Sequence, residues 1–153
     1  MYRTREVVER LAVNEEKVME LYSVFGDVFP EHRQFWKDIS GEEKRHAGML
    51  REFGNIVDDR DIKLDLDYIK PESLEKSISF LSGEIDRAKN KGMDCKQAFE
   101  LARTIEKGIV ESDCFKIFNT NVKDLVTLFG ALQADTRRHC QMMDEKCEII
   151  CKE

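Results

Sequence analysis

Apolar residues recur along the chain in steps of three and four, and that recurrence predicts helices. From about Thr4 to Asp27 the line reads Val8, Leu11, Val18, Tyr22, Phe25 and Phe29, with Glu15 in the one open step. Glu16, Glu20, Ser23 and Asp27 make a polar face beside it. Phe29-Pro30 breaks the run, because the residue before a proline avoids helical geometry and a proline suits the first turn of a new helix. The second helix runs to about Val57 on Phe35/Trp36, Ile39, Leu50, Phe53 and Val57, and Glu43 and His46 complete its line. Residues 58–70 form a polar connection. Pro71 opens a shorter helix on Leu74, Ile78, Leu81 and Ile85, which Lys91-Gly92 ends. A further long helix, from near Asp94 to near Phe118, carries Phe99, Ala102, Ile109 and Ile117, with Glu106 and Asp113 in the gaps. Asn121, followed three residues later by Asp124, suits the N-cap of the last helix, which reaches about Cys151. Its line is Leu125, Phe129, Leu132, Met143, Cys147 and Ile150, and Thr136 and His139 take the two middle places.

Four long helices and one short one follow from this pattern. Short links join the pairs 4–57 and 94–151, which makes each pair antiparallel, and a long crossover over 58–93 separates them. The expected fold is all-α: a single ferritin-like four-helix bundle over 1–153, with an extra short helix in the crossover. Two prolines and eight glycines agree with it, since strand-and-turn proteins need more turn punctuation.

Composition narrows the function classes. Charged residues make up 37% of the 153, with 31 Asp and Glu against 25 Lys and Arg, a net charge of −6. That balance argues against nucleic-acid binding. No segment approaches the roughly 18 consecutive apolar residues of a membrane span. The start, Met-Tyr-Arg-Thr-Arg-Glu-Val-Val-Glu-Arg, has no apolar signal core, and five cysteines show no secreted disulfide framework. A cytoplasmic chain with reduced thiols is the expectation.

The second and last long helices resemble each other. Ile39-Ser-Gly-Glu-Glu-Lys-Arg-His-Ala-Gly-Met-Leu50 can be laid on Leu132-Gln-Ala-Asp-Thr-Arg-Arg-His-Cys-Gln-Met-Met143, so that Arg45, His46 and Met49 meet Arg138, His139 and Met142. At the centre, Glu43 falls on Thr136. In the other two long helices Val8, Leu11, Glu15, Val18 and Tyr22 correspond to Phe99, Ala102, Glu106, Ile109 and Asp113 at constant offset. The chain reads as a duplicated helix pair.

The duplication bears on the polar residues that interrupt the apolar lines: Glu15, Glu43, His46, Glu106, Asp113 and His139. An ionised carboxylate buried without a partner costs several kcal/mol, so several near mid-helix need a shared explanation. Divalent cations supply one, since they neutralise several carboxylates and accept imidazole nitrogen. Glu43 and His46, three apart, project from one side of adjacent turns. With Glu15 they make half a site, and Glu106 and His139 supply the other half. This is the arrangement of a Glu on each of two helices and Glu-x-x-His on the other two.

The stretch Glu15-x6-Tyr22, followed by Phe35-Trp36-x2-Ile39-x2-Glu42-Glu43-Lys-Arg-His46-Ala47, resembles the rubrerythrin branch of the ferritin-like superfamily, in its stand-alone form without a rubredoxin domain. The resemblance implies a non-haem di-iron site, reduction of hydrogen peroxide or oxygen, a role in oxidative stress, and a homodimer. It implies Glu15 and Glu106 as terminal carboxylates, Glu43 as a bridging carboxylate, His46 and His139 as imidazole ligands, and Tyr22 as a tyrosine beside the site. Three departures stand out. The second bridging Glu is Thr136, the second tyrosine position is Asp113, and no Cys-x2-Cys pair exists to hold a rubredoxin iron. An external donor, a rubredoxin-like protein or a flavoprotein, must then supply electrons.

Thr136 matters most. Two ferrous ions carry four positive charges, and Glu15, Glu43 and Glu106 supply only three negative ones. Asp135 lies roughly 100° round the helix, so ligation from there requires a twist or bulge. Asp113 lies about 10 Å along the axis from Glu106, which suits an ion pair with Arg137 or Arg138 better than the same metal. The alternative function is therefore a metal-binding or interaction module on this scaffold that has lost redox turnover. Cys140, Cys147 and Cys151 share a face of the last helix at a spacing that can hold zinc or form a redox pair, and they read first as small apolar packing residues. His32, just after Pro30, is expected to be exposed.

Overall fold

The computed structural model describes residues 4–60, 70–111 and 123–152. Among these the regular elements are all helical: α1 (Thr4–Val28), the 3-10 turn η1 (Pro30–His32), α2 (Arg33–Arg60), α3 (Pro71–Lys89), α4 (Cys95–Glu111) and α5 (Lys123–Cys151). The end of the fourth predicted helix, the cap residue Asn121 and Asp113 lie outside the described residues.

Local chemistry sets the breaks. Phe29 leaves helical geometry with φ −117° and ψ 77°, and Pro30 then opens η1, a single tight turn, before α2 begins. The second helix runs three residues past the predicted Val57, to Arg60, since no Gly or Pro stops it there. α3 ends in a Schellman motif: the Lys91 amide donates to Ala88 O at 3.0 Å and the Gly92 amide to Arg87 O at 2.8 Å. Lys91, not the glycine, takes the left-handed conformation, with φ 57°. Gly92 is needed for close approach, because a Cβ there would lie 2.8 Å from Arg87 Cγ and 3.1 Å from Arg87 O. α4 opens with a reciprocal capping box. The Gln97 amide donates to Asp94 Oδ1 at 2.8 Å, and the Asp94 amide to Gln97 Oε1 at 2.9 Å.

α1 packs along α2 and against α3, α4 along α5, and α2 approaches α5. The core divides into two apolar clusters. One holds Val18, Tyr22, Phe25, Trp36, Ile39, Phe99, Ala102, Met143 and their neighbours. The other holds Val8, Leu11, Leu50, Phe53, Leu125, Phe129 and Leu132. Along α1 and α5 the chain passes from the second cluster to the first, and along α2 and α4 from the first to the second. The helices of each pair therefore run antiparallel, and α2 and α4 run the same way. α3 brings the chain back, touching the second cluster at Leu74 and the first at Leu81 and Ile85.

Aromatic contacts tie the pairs together at both ends. Trp36 stacks on Phe99 at 4.5 Å between ring centroids and meets Phe25 edge-on at 4.8 Å, joining α1, α2 and α4. Phe53 meets Phe129 edge-on at 4.7 Å, joining α2 and α5. Exposed ion pairs such as Lys37–Asp27 and Arg51 with Glu9 and Glu16 trim the α1–α2 seam, and each contributes about 1 kcal/mol or less. Among the described residues no helix is long and apolar enough to cross a membrane.

Candidate metal centre

Between the two apolar clusters lies a layer of buried polar side chains: Glu15 on α1, Glu43 and His46 on α2, Glu106 on α4, and Thr136 and His139 on α5. Each occupies the place on its helix where the apolar line is interrupted. All five residues expected as metal ligands meet here. Their donor atoms form two groups, Glu15/Glu43/His46 and Glu43/Glu106/His139, with every atom of a group within 4.8 Å of the others. Glu43 belongs to both.

The geometry around Glu43 follows the duplication. His46 Nδ1 lies 3.3 Å from Glu43 Oε2, and His139 Nδ1 lies 2.9 Å from Glu43 Oε1. The two imidazoles stack at 5.6 Å with 24° between their planes. Their outer nitrogens face carboxylates of the opposite helix: His46 Nε2 lies 3.0 Å from Asp135 Oδ2, and His139 Nε2 lies 2.8 Å from Glu42 Oε2. Arginines repeat the exchange, Arg45 donating to Asp135 and Arg138 to Glu42. Positions 42, 45 and 46 thus pair with 135, 138 and 139 in both directions. With Nε2–H donated outward, release of the inward Nδ1 proton would turn a lone pair towards the centre of the layer, the orientation that carboxylate–histidine–metal triads use.

Asp135 therefore stands behind His46, holding its ring, and no twist of α5 is needed to give it this place. Glu42 does the same for His139. It lies off the apolar line, so hydrophobic patterning passes over it. The repeat contains the signal, since Glu42 aligns with Asp135. Arg138, a suggested partner of Asp113, pairs with Glu42 and Asp135. Tyr22 is buried and donates its hydroxyl to Glu106 Oε1 at 2.7 Å. Thr136 donates to the Leu132 carbonyl of its own helix at 2.8 Å, so the position opposite Glu43 brings no carboxylate into the layer. Outside the layer, His32 is half-buried where exposure was expected, because its ring packs edge-on against Phe99 at 5.2 Å. Cys147 is buried in the apolar core, as its packing role requires.

Burial sets the electrostatics. Burial raises Glu15 well above the ordinary carboxylate value, and the charge of Glu43 adds to the rise. Glu106 is pushed up to about 7 by burial and by Glu43, against bonds from His139 and Tyr22. Burial also presses on Glu43, but hydrogen bonds from His139 and His46 outweigh it and hold that carboxyl well below its usual range. His139 is raised to about 10, its bonds to Glu106 and Glu43 overcoming burial, and His46 is raised in the same way by Glu43. Burial and the charges of Glu106 and Glu43 lift Tyr22. In the metal-free layer, protons do the neutralising.

Two atoms test whether a cation fits. Glu15 Oε2 and Glu106 Oε2 are buried with no hydrogen-bond partner among the described residues. A buried acceptor left unpaired costs about 1–3 kcal/mol. Each belongs to a carboxylate of a different three-residue group, so one divalent ion per group would satisfy it. Carboxylate oxygen with imidazole nitrogen is a donor set for first-row divalent metals. The layer can hold a metal ion. Comparison with family models, with curated proteins and with solved structures yields no match to this chain.

Proposed function

We propose that this chain is a ferritin-like, rubrerythrin-like protein that holds a pair of iron ions on Glu15, Glu43, His46, Glu106 and His139, and reduces hydrogen peroxide or oxygen there. The observation that carries the reading is the sharing of Glu43 by two buried three-donor groups, each with an orphaned carboxylate oxygen. The helix directions, with a long crossover between two antiparallel pairs, agree with a ferritin-like bundle.

Bound iron would supply the reducing electrons and open coordination positions for a small oxidant. The chain's own groups set the conditions. Glu43, flanked by both imidazoles, stays ionised and spans the two halves. The Tyr22 hydroxyl, donating to Glu106 Oε1, fixes the orientation of that carboxylate. Glu42 and Asp135 fix the imidazole rings. Apolar clusters on either side of the layer keep bulk water out. A rubredoxin-like protein or a flavoprotein is the electron donor in this reading. The working form is a homodimer in the cytoplasm.

Thr136 favours a second reading, a binding module with one metal and no turnover. Its hydroxyl is committed to Leu132 O, and three carboxylates leave two divalent ions one negative charge short. Anaerobic iron loading followed by addition of peroxide separates the two. About two irons per chain, oxidised on peroxide addition, is the expected result. One tightly held metal without oxidation would establish the module instead.

A further inference from the structure

A second set of metal-ligating side chains sits at one end of the bundle, far from the buried layer. Glu31 and His32 belong to η1, and Cys95 opens α4. A carboxylate oxygen, an imidazole nitrogen and the Cys95 Sγ lie within 4.8 Å of one another. Sequence does not suggest this grouping, because η1 and Cys95 stand more than sixty residues apart. Cys95 is about 16 Å along α4 from Glu106, at 1.5 Å per residue, so the two sets share no ligand.

Two of the three side chains are held in place. Pro30 fixes the turn that presents Glu31 and His32, and the His32 ring is pinned edge-on against Phe99 at 5.2 Å. Asp94 and Gln97 lock the first turn of α4, where Cys95 sits half-buried. The positive end of the helix dipole there favours a negatively charged ligand. Glu31 is exposed and can turn to meet an ion. Ligands round a tetrahedral zinc lie about 3.3–3.8 Å apart at ordinary bond lengths, so closing from within 4.8 Å takes roughly 1 Å of side-chain movement.

We propose that Glu31, His32 and Cys95 form a cation site for a zinc-class divalent ion, with solvent in the fourth position. The donor set selects the ion: one thiolate, one imidazole and one carboxylate suit a borderline-soft tetrahedral metal, and hard cations such as magnesium are excluded by the sulfur. Three protein ligands and an open position also make it a site that exchanges its ion readily. A bound ion ties the α1–α2 connection to the start of α4. It thereby clasps the two helix pairs at the end where His32, Phe35 and Trp36 already meet Phe99. The proposal does not depend on what the buried layer binds.

Cobalt(II), added to the reduced full-length chain, is the probe. The expected result is a near-ultraviolet thiolate-to-cobalt charge-transfer band that is lost in Cys95→Ser. The band weakens in His32→Gln and persists in Cys140→Ser, Cys147→Ser and Glu43→Ala. Helicity by circular dichroism, unchanged in Cys95→Ser and His32→Gln, separates loss of a ligand from loss of fold. Absence of the band in the unmodified chain, or a band unchanged in Cys95→Ser, overturns the proposal. Failure at the buried layer leaves the band untouched, so the two sites are judged separately.

Discussion

Glu42 and Asp135 are the residues whose role is least obvious and most easily measured. Each accepts from an imidazole of the opposite helix and from an arginine. Losing such support typically lowers metal affinity 10- to 100-fold. Glu42→Gln and Asp135→Asn are therefore expected to weaken divalent-metal binding by about that factor while leaving stoichiometry intact at saturating metal, as isothermal titration can show. Thr136→Glu should act the other way. It restores a carboxylate opposite Glu43 and is expected to tighten the weaker of two metal-binding steps. A titration identical to that of the unmodified chain would undercut the equivalence of positions 43 and 136. The buried acids and imidazoles of the layer are legible in sequence because a carboxylate or imidazole on an apolar line stands out. Glu42 is not, because it sits one position off the line and acts across the bundle.

At the scale of the element, breaks were more legible than ends. Phe29-Pro30 and Pro71 stop and start helices through their fixed ring geometry, and both appear where expected. α2 continues past the expected Val57 to Arg60, since an Asp-Asp-Arg run carries no stop signal. α3 ends at Lys89, just before the Lys91-Gly92 pair expected to stop it. A Lys-Gly pair suggests a glycine in the left-handed position, yet Lys91 takes it and Gly92 answers the crowding against Arg87. Gly92→Ala is accordingly expected to cost about 1 kcal/mol or more, seen as a lowered denaturation midpoint. A stability equal to that of the unmodified chain would show that Arg87 gives way freely.

For the whole molecule, the helix pairing is legible in the short and long connections of the sequence, and the membership of the two apolar clusters sets the helix directions. The chemical cost of the arrangement is a polar layer through the middle of the core, and its protons predict a pH dependence. Glu106 has an ordinary value of 4.5 and is raised to about 7, so its contribution to metal-free stability is full below 4.5 and lost as pH rises through 7. Glu15 is raised too and acts in the same direction. His139, raised from 6.5 to about 10, contributes fully below 6.5 and loses that contribution as pH rises towards 10, and His46 follows the same sign. Glu43, Glu42 and Asp135 are lowered, so their contributions are lost only in more acidic solution. Metal-free protein should therefore melt at a lower temperature at about pH 8 than at about pH 5.5, and metal should abolish or reverse the trend by replacing the protons. A metal-free melting temperature that rises over this interval would contradict the protonated layer.

In the proposed site a single carboxylate, Glu43, joins two metal positions. Metal content after anaerobic loading and removal of excess ion, measured in the chain and in its Glu43→Ala variant, tests it most directly. Both carry Cys95→Ser so that only the buried layer is counted. The expected result is about two ions per chain falling to none with Glu43→Ala, while Glu15→Ala and Glu106→Ala each retain about one. Metal content unchanged by Glu43→Ala would show that Glu43 joins no metal positions.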